Sequence, residues 1–180
     1  MPHKLDFITP TTAVVLVYFL ARPMSEFHER EVLRSTGISK GSANRILRRL
    51  AELSILLSKK KGRMVFYRLN AGDAFVKQMK ILSNVWTLRP LAEELQSSAK
   101  KIVLFGSCAE GTDVAESDLD VLILTDDKKA AKDKVSAFNR RGERPLAPII
   151  LSFEEYATMR KEDKPLFERI DRGIVLWETV

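Results

Sequence analysis

The stretch that decides the fold is Lys101-Ile102-Val103-Leu104-Phe105-Gly106-Ser107, then ten residues from Cys108 to Ser117, then Asp118-Leu119-Asp120-Val121-Leu122-Ile123-Leu124. Two short apolar runs bounded by turn residues read as buried strands. The first runs into Gly-Ser, and the second opens on Asp-x-Asp. Each residue type has a chemical reason to be there. Gly106 carries no Cβ, so backbone can approach a phosphate closely. The Ser107 hydroxyl and nearby amides can donate to phosphate oxygens at a helix start. Asp118 and Asp120, two apart on a strand, direct both carboxylates to one face. Two hard oxygen ligands suit Mg²⁺, which keeps waters and substrate phosphates as its other ligands. Two such ions could clamp an in-line attack on an α-phosphate. The competing reading makes Ser117–Asp120 a surface turn that leads into a strand.

Strand, Gly106-Ser107, the ten-residue interval and Asp118-x-Asp120, with the small residues Ala109 and Gly111 between, resemble the DNA polymerase beta-like nucleotidyltransferase superfamily, most closely its minimal members. The resemblance covers about 100–180. It implies an α+β fold with a mixed sheet and flanking helices, a nucleoside triphosphate as substrate or ligand, and Mg²⁺, two ions if the domain is active. Asp118 and Asp120 would hold metal and act in catalysis, and Gly106 and Ser107 would meet the phosphates. The implied reaction moves a nucleoside monophosphate to an unknown acceptor. The superfamily also implies a third carboxylate from a later strand. That strand reads as Leu146-Ala147-Pro148-Ile149-Ile150-Leu151, with Ala147 or Pro148 at the expected place. Neither can ligate a metal or take a proton. Glu143 is a candidate substitute, with Gly142 and Pro145 leaving its direction unreadable. The gap opens a second reading, an impaired domain serving as a nucleotide sensor or partner-binding module of a transcriptional regulator. Minimal nucleotidyltransferases often belong to toxin–antitoxin pairs, so the resemblance also implies a protein partner encoded by a neighbouring gene. Towards the end of the chain, Ser152 caps a helix at Phe153–Arg160, Pro165–Arg172 forms another with Leu166, Phe167 and Ile170 inward, and Gly173 precedes a strand at Ile174–Trp177.

Working back along the chain, charge changes sign. Residues 1–100 hold 17 Lys+Arg and 8 Asp+Glu, residues 101–180 hold 13 and 16, and the total is +6. A basic front half suggests a polyanion partner. Thr11 or Thr12 can cap a helix ending near Ala21, Ser25 a second helix that stops at Gly37, and Ser39 a third. In the third, Ala43, Ile46, Leu47, Leu50 and Leu53 trace one face, leaving Lys40, Ser42, Asn44, Arg45, Arg48 and Arg49 outward. Strands at Ile55–Ser58 and Met64–Leu69 flank a basic turn, Lys59-Lys60-Lys61-Gly62-Arg63. Residues 11–70 resemble a winged helix-turn-helix, with Gly37-Ile38-Ser39 at the turn. Ser54 departs from the pattern, since many members place a glycine between helix and wing. Base contacts on double-stranded DNA would fall to Asn44, Arg45 and Arg48, and backbone contacts to Lys59, Lys60, Lys61 and Arg63. The competing reading is a solvated basic face on a protein-binding module.

The expected domains are 1–70, a helical connector 71–99, and 100–180. The connector reads as helices at Ala71–Val85 and Pro90–Ser98 with a break at Trp86–Pro90. Met79, Leu82 and Trp86 are read as core, with a homodimer contact as the alternative. One cysteine excludes a disulfide framework. Cys108 reads as a small buried hydrophobe. Both histidines, His3 and His28, lie near the start, so chemistry in the back half must run on carboxylates. The apolar run Ala13–Ala21 is too short to span a bilayer and lacks the flanks of a signal peptide, which leads to an expected cytoplasmic protein with no membrane partner.

Overall fold

The computed structural model describes residues 5–142 and 144–179. The chain divides into two compact units, Met1–Met79 and Lys80–Val180. Each is mixed α and β.

The first unit orders α1 (Pro10–Leu20), β1 (Glu26–His28), α2 (Glu29–Thr36), α3 (Lys40–Glu52), β2 (Leu56–Lys61) and β3 (Met64–Leu69). Its antiparallel sheet has the order β1-β3-β2. Val15, Phe19, Val32, Leu47, Leu50, Leu56 and Leu69 are buried together. Each such side chain contributes about 1.5–3 kcal/mol by leaving water.

Three expected boundaries shift, each for a physical reason. The cap of α1 is Thr9, not Thr11 or Thr12, its hydroxyl accepting from the Thr12 amide at 3.2 Å. Pro10, preset for a first helical turn, starts the helix earlier. The cap of α2 is His28, not Ser25, because Glu26–His28 is extended and pairs with Phe66–Arg68. Nδ1 of His28 accepts from the Glu31 amide at 3.3 Å, while the Glu31 carboxylate accepts from the His28 amide at 2.8 Å. This is a capping box with histidine in the serine role. Lys59, Lys60 and Lys61 belong to β2, not to the turn, and pair with Phe66, Val65 and Met64. Gly62, at φ 60°, lets the hairpin reverse in two residues, so the lysines continue the ladder. Ser39 caps α3 and Gly37 closes α2 as expected. Ser54 takes φ 59°, a left-handed conformation that favours glycine. Its carbonyl accepts from the Asn70 amide group at 2.9 Å.

In chain order, α4 (Ala74–Leu95) crosses the division between units. Then come β4 (Ala99–Leu104), α5 (Ser107–Glu110), β5 (Leu119–Thr125), α6 (Lys128–Arg141), β6 (Leu146–Leu151), α7 (Phe153–Glu162), α8 (Lys164–Asp171) and β7 (Ile174–Glu178). The sheet of the second unit is mixed, in the order β6-β5-β4-β7, with β5 and β6 parallel and the other neighbours antiparallel. Alternation along β5 divides the core. Leu119, Val121 and Ile123 pack with Leu88, Leu91 and Leu95 of α4 and with Ala131 and Val135 of α6. Leu122 and Leu124 pack on the opposite face with Ile170 of α8 and with Tyr156 and Met159 of α7.

The expected break at Trp86–Pro90 is absent, and α4 runs through Pro90. Proline in a helix interior costs about 3 kcal/mol. Pro90 faces solvent, where water can meet the freed carbonyl, and burial of Leu88, Leu91, Ala92 and Leu95 on the other side outweighs the loss. Leu82 and Trp86 are not core residues, because both are 67% exposed.

Candidate functional site

The second unit brings the Gly-Ser turn and the acidic pair together. Gly106 stands between β4 and α5 at φ 68°, where an L side chain is strained. A Cβ there would lie 2.4 Å from Oδ2 of Asp120. Glycine is therefore required twice over, by backbone angle and by the carboxylate. The Phe105 amide donates to the Asp120 carbonyl at 3.0 Å and fixes the two segments in register. Asp120 lies on β5, on the face that carries Leu122 and Leu124. Asp118 lies just before β5 and is exposed, so the expectation that both acids sit on one strand holds for Asp120 alone. Burial pushes the Asp120 carboxyl above its ordinary range; the guanidinium of Arg169 opposes this and the charge of Asp118 adds to it. The negative charge of Asp118 makes ionisation of Asp120 costlier, and a divalent cation between the two acids would relieve that repulsion. Among the described residues no three His, Cys, Asp or Glu side chains gather as a metal cluster. A cation here would hold Asp118 and Asp120 and complete its shell with water and substrate oxygens.

The register of β5 with β6 locates the position expected to carry the third acid. Asp120 pairs with Ala147, and Val121 with Pro148. Registered residues of parallel strands share a face, so a methyl group stands beside Asp120. Glu143 lies outside the described residues.

A buried polar network holds the loop that carries Asp118. The Arg144 guanidinium donates from Nε and Nη2 to the Ser117 carbonyl at 3.1 and 2.8 Å. Nη1 reaches Asn84 Oδ1 at 3.0 Å and Asp113 Oδ2 at 3.1 Å. Nη2 also reaches Cys108 Sγ at 3.1 Å. All five guanidinium donors are used. Lys80 and Asp113, 3% and 4% exposed, form an ion pair at 3.2 Å, and Lys80 also donates to the Asp113 carbonyl. Asn84 donates to the Cys108 carbonyl at 3.0 Å. The Cys108 thiol donates to the Asp118 carbonyl at 3.2 Å. Burial pushes that thiol up, with Arg144 acting against it. Cys108 is a buried packing residue as expected, with the added duty of holding the backbone at Asp118.

Sequence reasoning missed Arg144, Asp113, Lys80 and Arg169. Arg144 and Lys80 stand far from the Gly-Ser motif in sequence, and no spacing rule joins them to it. Asp113 was visible as an acid inside the motif interval, but its burial was not.

In the first unit, Lys40, Asn44, Arg48 and Arg63 line one cleft of about 360 Å³ together with Glu29 and Tyr67. Asn44 is engaged there, its amide donating to Glu29 at 2.8 Å. Ser42 is tied to the α3 cap, its hydroxyl 3.0 Å from that of Ser39. Arg45 lies apart, on a second cleft with Arg49 and Asp6. Lys59, Lys60 and Lys61 are exposed on β2 and line neither cleft. Lys61 pairs with Glu26, whose carboxyl that hydrogen bond holds below its ordinary value, and lies over Phe66 at 4.8 Å.

No helix among the described residues is long and apolar enough to cross a membrane. No curated protein matches the chain. A crystal structure of a candidate nucleotidyltransferase from Sulfolobus solfataricus is similar at 18% identity over 59% of this chain and 91% of that one, with a TM-score of 0.39, too low to carry weight. Residues 87–172 match the family model described as "Nucleotidyltransferase domain". That span contains the Gly106 turn, both aspartates, β6 and all of α8, and so the chain carries a nucleotidyltransferase domain over those residues.

Proposed function

We propose that the second unit transfers a nucleoside monophosphate from a nucleoside triphosphate to an acceptor hydroxyl, and that the first unit is a winged helix-turn-helix that binds double-stranded DNA. The observation that carries the first part is the seating of Asp120 against a side-chain-free Gly106, with Asp118 close enough to raise its carboxyl. Gly106 lets the Asp120 carboxylate sit close against the turn, and Ser107 offers a hydroxyl beside it. Mg²⁺ on Asp118 and Asp120 would supply charge neutralisation for the polyphosphate. The acceptor oxygen forms a bond to the α-phosphorus, the bond from that phosphorus to the α–β bridging oxygen breaks, and pyrophosphate leaves with the electron pair. The hydroxyl proton passes to solvent. The full chain, given Mg²⁺ and each α-labelled nucleoside triphosphate in turn, is expected to release pyrophosphate and label an acceptor, and Asp118→Ala or Asp120→Ala to abolish this. No product with any of the four nucleotides defeats the reading.

One observation favours a second reading. Ala147 occupies the position registered with Asp120, and a site short of a carboxylate lacks its own proton acceptor. A nucleotide sensor without turnover then accounts for both units, since nucleotide would alter DNA affinity. Saturable nucleotide binding without pyrophosphate release, coupled to a change in DNA affinity, distinguishes this outcome.

For the first unit, Lys40, Arg48 and Arg63 around one cleft, with Lys59 and Lys60 exposed on β2, support a phosphate-binding surface. The site residues Asn44 and Ser42 are already hydrogen-bonded within the unit, so base contact falls first to Arg48. Exposed Leu82 and Trp86 support self-association, which sedimentation at several concentrations would reveal.

A further inference from the structure

We infer that Arg169 of α8 is a nucleotide-binding residue whose guanidinium takes phosphate oxygens of a nucleoside triphosphate; this rests on the nucleotide-site reading above. Its Nη2 lies 3.5 Å from the point where a Gly106 Cβ would stand, a point 2.4 Å from Asp120 Oδ2. The cation and the acid thus border the same gap left by the missing side chain. The guanidinium also lies over the Phe105 ring, 5.9 Å from its centroid, and Phe105 is itself 3% exposed and packed in the core. The adjacent Ile170, 2% exposed, anchors α8. The base of the arginine is therefore fixed while its head stands in solvent.

The donors of Arg169 are unused, and they stand beside the Gly106 turn. Arg144 spends all five on protein acceptors, Arg89 pairs with Glu93 at 2.8 Å, and Arg172 lies 3.8 Å from Glu168. Among the described residues, Arg169 makes no hydrogen bond and no ion pair within 4 Å, although Asp120 is near. A planar fork of free donors beside the Gly106 turn matches two oxygens of a polyphosphate. A divalent cation on Asp118 and Asp120 would neutralise the acids and repel the guanidinium, which directs those donors to the ligand.

The test is calorimetric titration of the full chain with ATP, GTP, CTP and UTP, and with the matching monophosphates, in Ca²⁺ to support binding while slowing turnover. Arg169→Gln is expected to weaken triphosphate binding about tenfold or more, to leave monophosphate binding within twofold, and to keep the thermal midpoint. Arg169→Lys, which keeps the charge but loses the fork, should fall between. If wild type binds triphosphate and Arg169→Gln binds equally well, or loses monophosphate to the same degree, the assignment is overturned while the nucleotide site stands. If wild type shows no Ca²⁺-dependent binding of any triphosphate, the nucleotide-site reading itself fails, and this inference with it. An inorganic tripolyphosphate arm separates sources. Competition with ATP that Arg169→Gln abolishes supports the polyphosphate contact, and an absence of competition overturns it.

Discussion

In the first unit Lys40, Arg45, Arg48, Lys59, Lys60 and Arg63 stand in solvent with no acid paired to them among the described residues, whereas in the second Lys80, Asp113 and Arg144 are interlocked beneath a loop. The difference teaches what each set of charges can do. An exposed charge is screened and contributes little to folding, yet it can release counterions from a polyanion. A buried charge is expensive to desolvate, so it persists only where partners satisfy it, and it then fixes geometry. The first arrangement suits a binding surface and the second suits a scaffold for Asp118.

The largest effect is expected at Asp113 in the second unit. Asp113→Ala leaves Lys80 and Arg144 without their shared carboxylate, and such a loss costs about 3–5 kcal/mol. Both tryptophans, Trp86 and Trp177, belong to the second unit, so urea unfolding followed by tryptophan fluorescence reports this unit. A shift below about 1 kcal/mol would mean the network is ornamental, since even exposed pairs reach that value.

Next in size is the lysine strand. Lys59→Ala, Lys60→Ala and Lys61→Ala combined should leave the fluorescence transition in place and reduce the slope of log affinity for duplex DNA against log salt by about 2, at roughly 0.9 per phosphate contact. Two contacts are expected rather than three because Lys61 is already paired with Glu26. An unchanged slope would remove β2 from the interface.

Ser54→Gly sharpens the contrast on the side of the first unit. Relief of a left-handed serine is worth about 1–2 kcal/mol, and the freer unfolded chain takes back about 0.4–1. A net gain of up to about 1.6 kcal/mol is expected in the far-ultraviolet transition that tryptophan does not report.

The smallest effect is at Asp120. Its carboxyl is raised in the folded state, first by burial. The native form therefore holds its proton more tightly than the unfolded chain does. This stability is present below the unfolded value and is lost as pH rises through the folded one. Asp120→Asn cannot titrate, so in chelator its melting point should match wild type in acid and exceed it modestly near neutrality. A mutant melting lower at neutral pH would show that the ion attraction to Arg169 outweighs burial.

Much was legible from residues alone. The order of strand, Gly106-Ser107 and Asp118-x-Asp120 followed from apolar runs and turn chemistry, which act within a few residues. Ser39, Ser152 and Gly37 announced helix ends because capping is local. Ala147 and Pro148 stood at the position of the awaited acid, and the strand register chose Ala147 as the residue beside Asp120. What depends on distant partners was not legible. His28 caps α2 only because β1 pairs with β3. Pro90 is tolerated because a packed face holds α4 together around it.

Spacing and residue type along a single segment were enough to single out Gly106, Ser107, Asp118 and Asp120 as candidates, because turn chemistry and strand alternation are local. Their surroundings come from packing between distant segments. Arg144 from the segment before β6, Lys80 and Asn84 from α4, and Arg169 from α8 arrive there through strand pairing and core packing. Those forces act between segments far apart in the chain, where no local pattern records them.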